Sequence, residues 1–196
     1  MKRMAIVGLD GLPPNILELL IEHFSNKLSF LSDCLSSYTI HKMESTIPYI
    51  TPPAWVSITT GVNPGKHAIY DFFKLKRVYN GFDLSPVSSY DVKYPCFWNI
   101  LGKYKLTSLI VNVPPFYPAI PLRGVMISGP PITKLSVFPK YLLPTIKHMG
   151  YKVDIDNVGI GLRYDKVNTL KKMINIVHSR IKVCKYLMNK YLYQKY

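Results

Sequence analysis

Short apolar runs rich in β-branched residues, each closed at once by a loop of Asp, Gly or Pro, constrain this chain more than any other feature. Ala5-Ile6-Val7-Gly8-Leu9 runs into Asp10-Gly11. Thr107 through Val113 runs into Pro114-Pro115, and Gly124 through Ser128 into Gly129-Pro130-Pro131. A run that is apolar at successive positions has no solvent face, so each predicts a strand buried on both sides, as in parallel sheet. Helical patterns surround these runs. Pro13-Pro14 opens a helix with Ile16, Leu17, Leu19, Leu20 and Phe24 on one face. Phe97 to Tyr104 and Tyr141 to Met149 also read as helical, and Trp55 to Thr60 as a short helix ended by Gly61. One long helix is predicted from Asp165 to about Lys190, with Leu170, Met173, Ile174, Val177, Ile181, Cys184 and Leu187 as its apolar stripe. Tyr38 to Met43 and Tyr151 to Ile155 read as short strands. Tyr79-Asn80-Gly81 reads as a hairpin turn between Phe72–Leu75 and Gly81–Leu84. Strand alternating with helix predicts an α/β fold in a single domain over residues 1–196, with any site outside the carboxyl ends of the strands.

Composition narrows the class further. Apolar residues make up 48% of the 196 and charged residues 18%, a globular balance that excludes global disorder. Cys34, Cys96 and Cys184 are an odd number at wide spacing, which excludes a disulfide framework and a CxxC zinc site. No apolar run approaches the roughly 18 residues that a membrane span needs, and Met4 to Leu9 is too short for the core of a signal peptide. These readings predict a cytoplasmic protein with reduced thiols and no transmembrane segment. The formal charge is +14, and no Asp or Glu follows Asp165, while eight Lys and Arg do. Such a tail is a solvated basic helix face or an anion-binding surface, nucleic acid included.

Two positions can carry chemistry. Asp10 ends the first predicted strand, where a carboxylate either binds a divalent cation or caps the following turn. Thr51 precedes Pro52-Pro53-Ala54-Trp55. A threonine there is an ordinary helix cap, or a hydroxyl placed where unpaired backbone N–H groups and the helix dipole favour anions. In the second case it can attack phosphorus once a cation makes its deprotonated form accessible.

Taken together, Ile6-Val7-Gly8-Leu9-Asp10-Gly11, Thr51-Pro52-Pro53-Ala54-Trp55-Val56-Ser57-Ile58-Thr59-Thr60-Gly61 and Pro64-Gly65-Lys66-His67-Ala68-Ile69-Tyr70-Asp71-Phe72 resemble the type I phosphodiesterase/nucleotide pyrophosphatase family of the alkaline phosphatase superfamily. The likeness is specific over residues 4 to 72 and looser over 107 to 150. It implies an alkaline-phosphatase-like three-layer sandwich with a mostly parallel central sheet, here truncated on its C-terminal side. It also implies Thr51 as nucleophile, and Asp10 and Thr51 as ligands of a divalent metal, zinc, of which complete members hold two. The implied reaction is hydrolysis of a phosphodiester or phosphate ester through a covalent phospho-threonine.

The sequence departs from the family pattern in three places. Ala54 stands where nucleotide-acting members often carry Asn, and Ala68 replaces the Gly of His-Gly-Ile. The later Asp-x-x-x-His, Asp-His and final His ligands are missing. Asp154 and Asp156 share one face of the predicted strand and are the candidate replacements, against the ordinary reading of a solvated face. His148 reads as a helix-end residue, His178 as part of the basic helix, and His67 as a structural residue of the turn. Three functions follow: a metal-dependent phosphodiesterase acting on a small phosphoester, an inactive relative that keeps a phosphate- or nucleotide-binding surface, or a basic nucleic-acid-binding module. The missing ligands imply a complementary C-terminal polypeptide, and the apolar stripe of the last helix packs on the core or on a second copy in a homo-oligomer.

Overall fold

The computed structural model describes residues 3–38, 41–156 and 158–192, and the chain falls into two compact units, Met1–Ser45 and Thr46–Tyr196. In the first, α1 (Pro14–Phe24) and α2 (Ser29–Ser37) are joined by a 3-10 turn over Ser25–Lys27. Pro13 precedes α1 in extended geometry and Pro14 begins it, where a missing N–H has no intrahelical partner to lose. The half-buried face of α1 is Leu17, Leu20 and Ile21, whereas Ile16, Leu19 and Phe24 are exposed, so the packing face is rotated from the predicted one. The predicted strand Ala5–Leu9 does not form, and Ile6, Val7 and Leu9 are exposed. An apolar β-prone run is only a capacity to pair. Without a neighbouring strand its N–H and C=O groups have no ladder to join. At its end Asp10 and Gly11 form a turn, with Gly11 at φ +71°. Of the predicted strand Tyr38–Met43, Thr39 and Ile40 lie outside the described residues, and His41–Met43 joins no sheet.

The second unit opens with α3 (Thr51–Thr60) and α4 (Pro64–His67). The hairpin of β1 (Phe73–Val78) and β2 (Gly81–Pro86) follows, then α5 (Phe97–Lys103), β3 (Ser108–Val113) and β4 (Gly124–Ser128). The chain continues through β5 (Val137–Phe138), α6 (Leu143–His148), α7 (Val158–Tyr164) and α8 (Lys166–Tyr191). The hairpin turns at Tyr79-Asn80, with Val78 opposite Gly81. The second sheet has the order β3-β4-β5, parallel between β3 and β4 and antiparallel between β4 and β5. Among the described ladders only β3/β4 is therefore parallel, fewer than the predicted mostly parallel sheet. The double prolines after β3 and β4 end both strands, because proline cannot donate to a ladder.

Strand alternation distributes this sheet's side chains to two cores. Val125 and Ile127 face a cluster with Val137, Leu142, Ile146, Val183 and Leu187, against which Leu109 and Val111 pack. Ile110 and Met126 face the other way, into a cluster with Val56, Ile69, Cys96, Trp98 and Phe116. Both faces of the sheet are thus covered by helices, which is why its strands lack a polar side. Trp98 meets Phe116 edge-on at 4.9 Å between ring centroids, a favoured geometry for buried aromatic pairs. At Asn112 (φ +61°) β3 carries a bulge, and the Asn112 side-chain oxygen accepts a hydrogen bond from the Tyr151 hydroxyl at 3.2 Å.

Residues 151–155 do not enter a ladder, yet burial alternates as a strand would have it, with Tyr151 and Val153 buried and Lys152 and Asp154 exposed. The segment is extended and packs one side on the core. Helix α8 starts one residue after Asp165, whose carboxylate accepts from Asn168 N–H at 3.1 Å. Its buried face is Thr169, Ile176, Val183 and Leu187. The predicted stripe is largely a different face: Leu170, Met173, Ile174, Val177 and Ile181 are all exposed.

Gly124 is the tightest point of the parallel ladder. A Cβ there would lie 2.0 Å from the Ser108 carbonyl oxygen, and its φ of +134° is one that side-chain-bearing residues rarely adopt. Gly124→Ala should therefore lower stability by about 3 kcal/mol, read as a shift of the urea midpoint, because the clash is with backbone and cannot relax by a rotamer change.

Candidate functional site

Thr51 is the first residue of α3, and Ile50 before it holds extended geometry at φ −132°, ψ 162°. The helix starts four residues earlier than the sequence predicted, because Pro52 and Pro53 fall in the first turn, where their fixed φ suits a helix. Both prolines are buried, which anchors the turn, while Thr51 is half-buried. The prolines also correct one expectation. They have no N–H, and the Ala54 N–H is bonded to the Ile50 carbonyl at 3.3 Å, so the start of α3 is no open cradle of amide donors. What the helix contributes at Thr51 is its dipole.

Ahead of α3, Thr46 donates to the Pro48 carbonyl at 3.2 Å and Ile50 N–H donates to the same oxygen at 3.0 Å. Behind it, Gly61 at φ +71° closes the helix through its N–H to the Ser57 carbonyl at 2.8 Å. Thr59 and Thr60 both donate to the Val56 carbonyl, at 3.1 and 2.6 Å. The hydroxyls of Thr59 and Thr60 thus bond the helix's own backbone.

His67, at the end of α4, is fully buried and joins the next turns to α3. Its Nδ1 accepts from Ile69 N–H at 3.1 Å, which places the ring proton on Nε2. Nε2–H then donates to Ser57 Oγ at 2.9 Å, and the His67 carbonyl accepts from Lys93 N–H at 3.1 Å. This direction matters chemically. A histidine that donates to a serine oxygen cannot take the serine's proton, so Ser57 and His67 form a structural clasp rather than a nucleophile–base pair. Burial holds the imidazole below its ordinary pKa, with the neighbouring Pro53 and His67 carbonyls, which favour the protonated ring, opposing. Ser57 went unnoticed in the sequence; its signal was a hydroxyl on a helix that starts at prolines, ten residues before a turn histidine.

The next residue, Ala68, sits at φ +66° and caps α4 through its N–H to the Pro64 carbonyl at 2.8 Å. Left-handed geometry favours glycine, which accounts physically for the usual His-Gly-Ile pattern and marks Ala68 as strained.

Asp91 and Asp154 are engaged elsewhere. Asp91 binds the Lys74 ammonium and accepts from Ser88 N–H and Oγ at 2.8 and 2.7 Å. Burial works against its charge, but these partners prevail and hold its carboxyl below the usual value. Asp154 is exposed, accepts from Ile155 N–H at 2.9 Å and lies 3.9 Å from Arg180; Asp156 is exposed too. His148 ends α6 and His178 stands on α8, both exposed. Cys34, Cys96 and Cys184 are all free thiols. Cys96 is buried and its pKa is pushed up to about 11 by that burial, which the neighbouring Thr59 hydroxyl only partly offsets, so it is unreactive. Asp10 occupies the exposed turn of the first unit and Thr51 the start of α3 in the second. Among the described residues no group of three or more His, Cys, Asp or Glu comes together as a metal site. No described helix is long and apolar enough to cross a membrane.

A family model described as type I phosphodiesterase / nucleotide pyrophosphatase matches residues 4–175. The match spans Asp10, Thr51, the His67–Ala68 turn and the β3/β4 ladder. No curated protein and no solved structure matches the chain. The chain belongs to the type I phosphodiesterase/nucleotide pyrophosphatase family.

The turn yields two expectations. Ala68→Gly should stabilise the protein by about 1 kcal/mol in urea titration, since it relieves a left-handed alanine without removing a contact. The second concerns pH. His67 has a folded pKa below its unfolded value of about 6.5, so the unfolded chain binds the proton first. Its contribution is complete above that pH and is lost as the pH falls through it toward the folded value. Urea midpoints followed from pH 7.5 down to about 5 should decline in the wild type, and His67→Gln should flatten that slope even though it lowers the baseline.

Proposed function

We propose that this family member carries the nucleophile side of a phosphodiesterase site, with Thr51 as the attacking residue and Asp10 as one ligand of a divalent cation, zinc in the family's chemistry. The observation that supports it is the placement of Thr51. The residue is half-buried at the positive end of α3, on a turn fixed by two buried prolines, inside the segment shared with the family. In this reading Thr51 Oγ1 attacks phosphorus in line. A new P–O bond forms as the ester P–O bond breaks, the alcohol departs with its oxygen, and the threonine proton passes to solvent. Water then attacks the phospho-threonine and returns Thr51 and free phosphate ester.

The family is metal-dependent, and the donors on hand do not complete a metal centre. A catalytic zinc takes about three protein ligands, while Asp10 and Thr51 are two ligand residues, Asp154 is engaged by Arg180 and the Ile155 N–H, and no cluster of three His, Cys, Asp or Glu forms among the described residues. This shortfall favours a second reading for the chain acting alone: a catalytically inactive relative that keeps a phosphate- or nucleotide-binding surface, with a complementary polypeptide needed to supply the remaining ligands for turnover. Ala54, at the position where nucleotide-acting members often carry Asn, lacks the side-chain amide that would help hold a phosphoryl oxygen there, so the resemblance does not carry a nucleotide preference to this chain.

Hydrolysis of bis(p-nitrophenyl) phosphate in added Zn2+ or Mn2+ tests the assignment. Thr51→Ala should reduce any turnover about a thousandfold, Thr51→Ser should keep a measurable part of it, and turnover that survives Thr51→Ala removes Thr51 as nucleophile. Asp10→Ala should lower zinc bound after dialysis, measured by metal analysis. Inorganic phosphate binding without turnover in the wild type supports the second reading.

A further inference from the structure

Helix α8 has two apolar faces and the fold uses one. Thr169, Ile176, Val183 and Leu187 are buried against the rest of the unit. Val167, Leu170, Ile174, Val177 and Ile181 form a second stripe and are between 47% and 65% exposed. Their spacing alternates three and four residues, the repeat that keeps one seam of a helix facing a partner helix. The side chains in this seam are branched aliphatics of the kind that pack as knobs into the holes of a facing helix.

Charge identifies the partner. Lys171, His178 and Lys185 recur every seven residues along one border of the seam, with Lys182 beside them, and all are exposed. No acidic residue follows Asp165 anywhere in the chain. A second copy of α8 is therefore a poor occupant. Pairing in parallel would set Lys166 against Lys171 and Arg180 against Lys185, and pairing antiparallel would oppose the two Lys171–His178–Lys185 rows. A bilayer surface fits less well too, because a helix lying in the interface exposes a broad apolar face with Trp or Phe, and this seam is narrow and aliphatic. Nucleic acid would use the lysines and leave the seam in water.

We propose that α8 docks an acidic amphipathic helix of a partner protein. Aliphatic residues of that helix fill the Val167–Ile181 seam, and Glu or Asp along its border pair with the Lys171–Lys185 row. The inference rests on α8 alone and is independent of Thr51 and Asp10.

A fluorescent synthetic peptide of about three heptads, with Leu along its seam and Glu at the flanking positions, probes the full chain by anisotropy against a matched peptide carrying Lys in place of Glu. The Glu peptide should bind saturably and about tenfold or more tighter than the Lys peptide. The double variant Ile174→Ser/Val177→Ser should weaken it about tenfold. Both side chains are exposed, and an unchanged circular dichroism spectrum would show that the fold is intact. Lys171→Glu/Lys185→Glu leaves the seam whole and should reverse the preference in favour of the Lys peptide. Absence of binding, equal affinity for the two peptides, or a sedimenting homodimer that the seam variant dissolves would each overturn the proposal.

Discussion

The parallel pairing of β3 with β4 is the contact on which the second unit depends. Because the two strands run the same way with Ile110 opposite Met126, alternation sends Leu109, Val111, Val125 and Ile127 to one side and Ile110 and Met126 to the other. Each side must then be covered, since a strand apolar on both faces cannot show either to water. α6 and α8 cover one face through Ile146, Val183 and Leu187; α3 and α5 cover the other through Val56 and Trp98. Thr51 owes its position to this arrangement. Val56 fixes the middle of α3 in the core, the buried prolines fix its first turn, and the His67–Ser57 clasp holds the helix to the turn beyond.

What the sequence made legible follows from which signals are local. β3 and β4 could be read because continuous apolar runs between prolines have one outcome in a packed α/β fold, and the hairpin because Asn-Gly specifies its turn. The Ala5–Leu9 run carries the same signal but makes no strand. Pairing is a property of two segments, and only one of them is in the run. Helix α8 failed differently. Its periodicity correctly announces an amphipathic helix beginning at about Asp165, but two apolar stripes share that helix, and period alone does not say which one meets the core. Leu187 belongs to the packed face; Leu170 and Ile174 do not.

The candidate site was legible as motif and less so as geometry. Thr51 and Asp10 stood out because strand-Asp-Gly and Thr-x-Pro occur in family order, and the family match bears out that resemblance. The helix begins earlier than its apolar pattern predicts because both prolines lie inside the first turn of α3, and the same two residues remove amide donors expected beside Thr51. The Ser57–His67 clasp was out of reach, since hydrogen-bond direction depends on Ile69 N–H reaching Nδ1, a fact of the fold and not of spacing.

Electrostatics joins the two functional readings. The chain has 25 Lys and Arg against 11 Asp and Glu, so its field draws anions, and several of its few carboxylates already serve the fold. Asp91 holds Lys74 and the Ser88 turn, Asp165 starts α8, and Asp154 meets Arg180. A cation site needs several carboxylates or imidazoles brought to one point, because each ligand must replace a water held by the ion. An anion site makes a weaker demand: dispersed positive charge raises local anion concentration without any fixed geometry. The same composition therefore suits anions better than cations, so on the proposed readings a phosphoester or an acidic helix asks less of this chain than a metal-assisted step does. In that reading affinity and turnover are separable, since net charge acts on the first and the number of oxygen and nitrogen ligands brought to one point acts on the second.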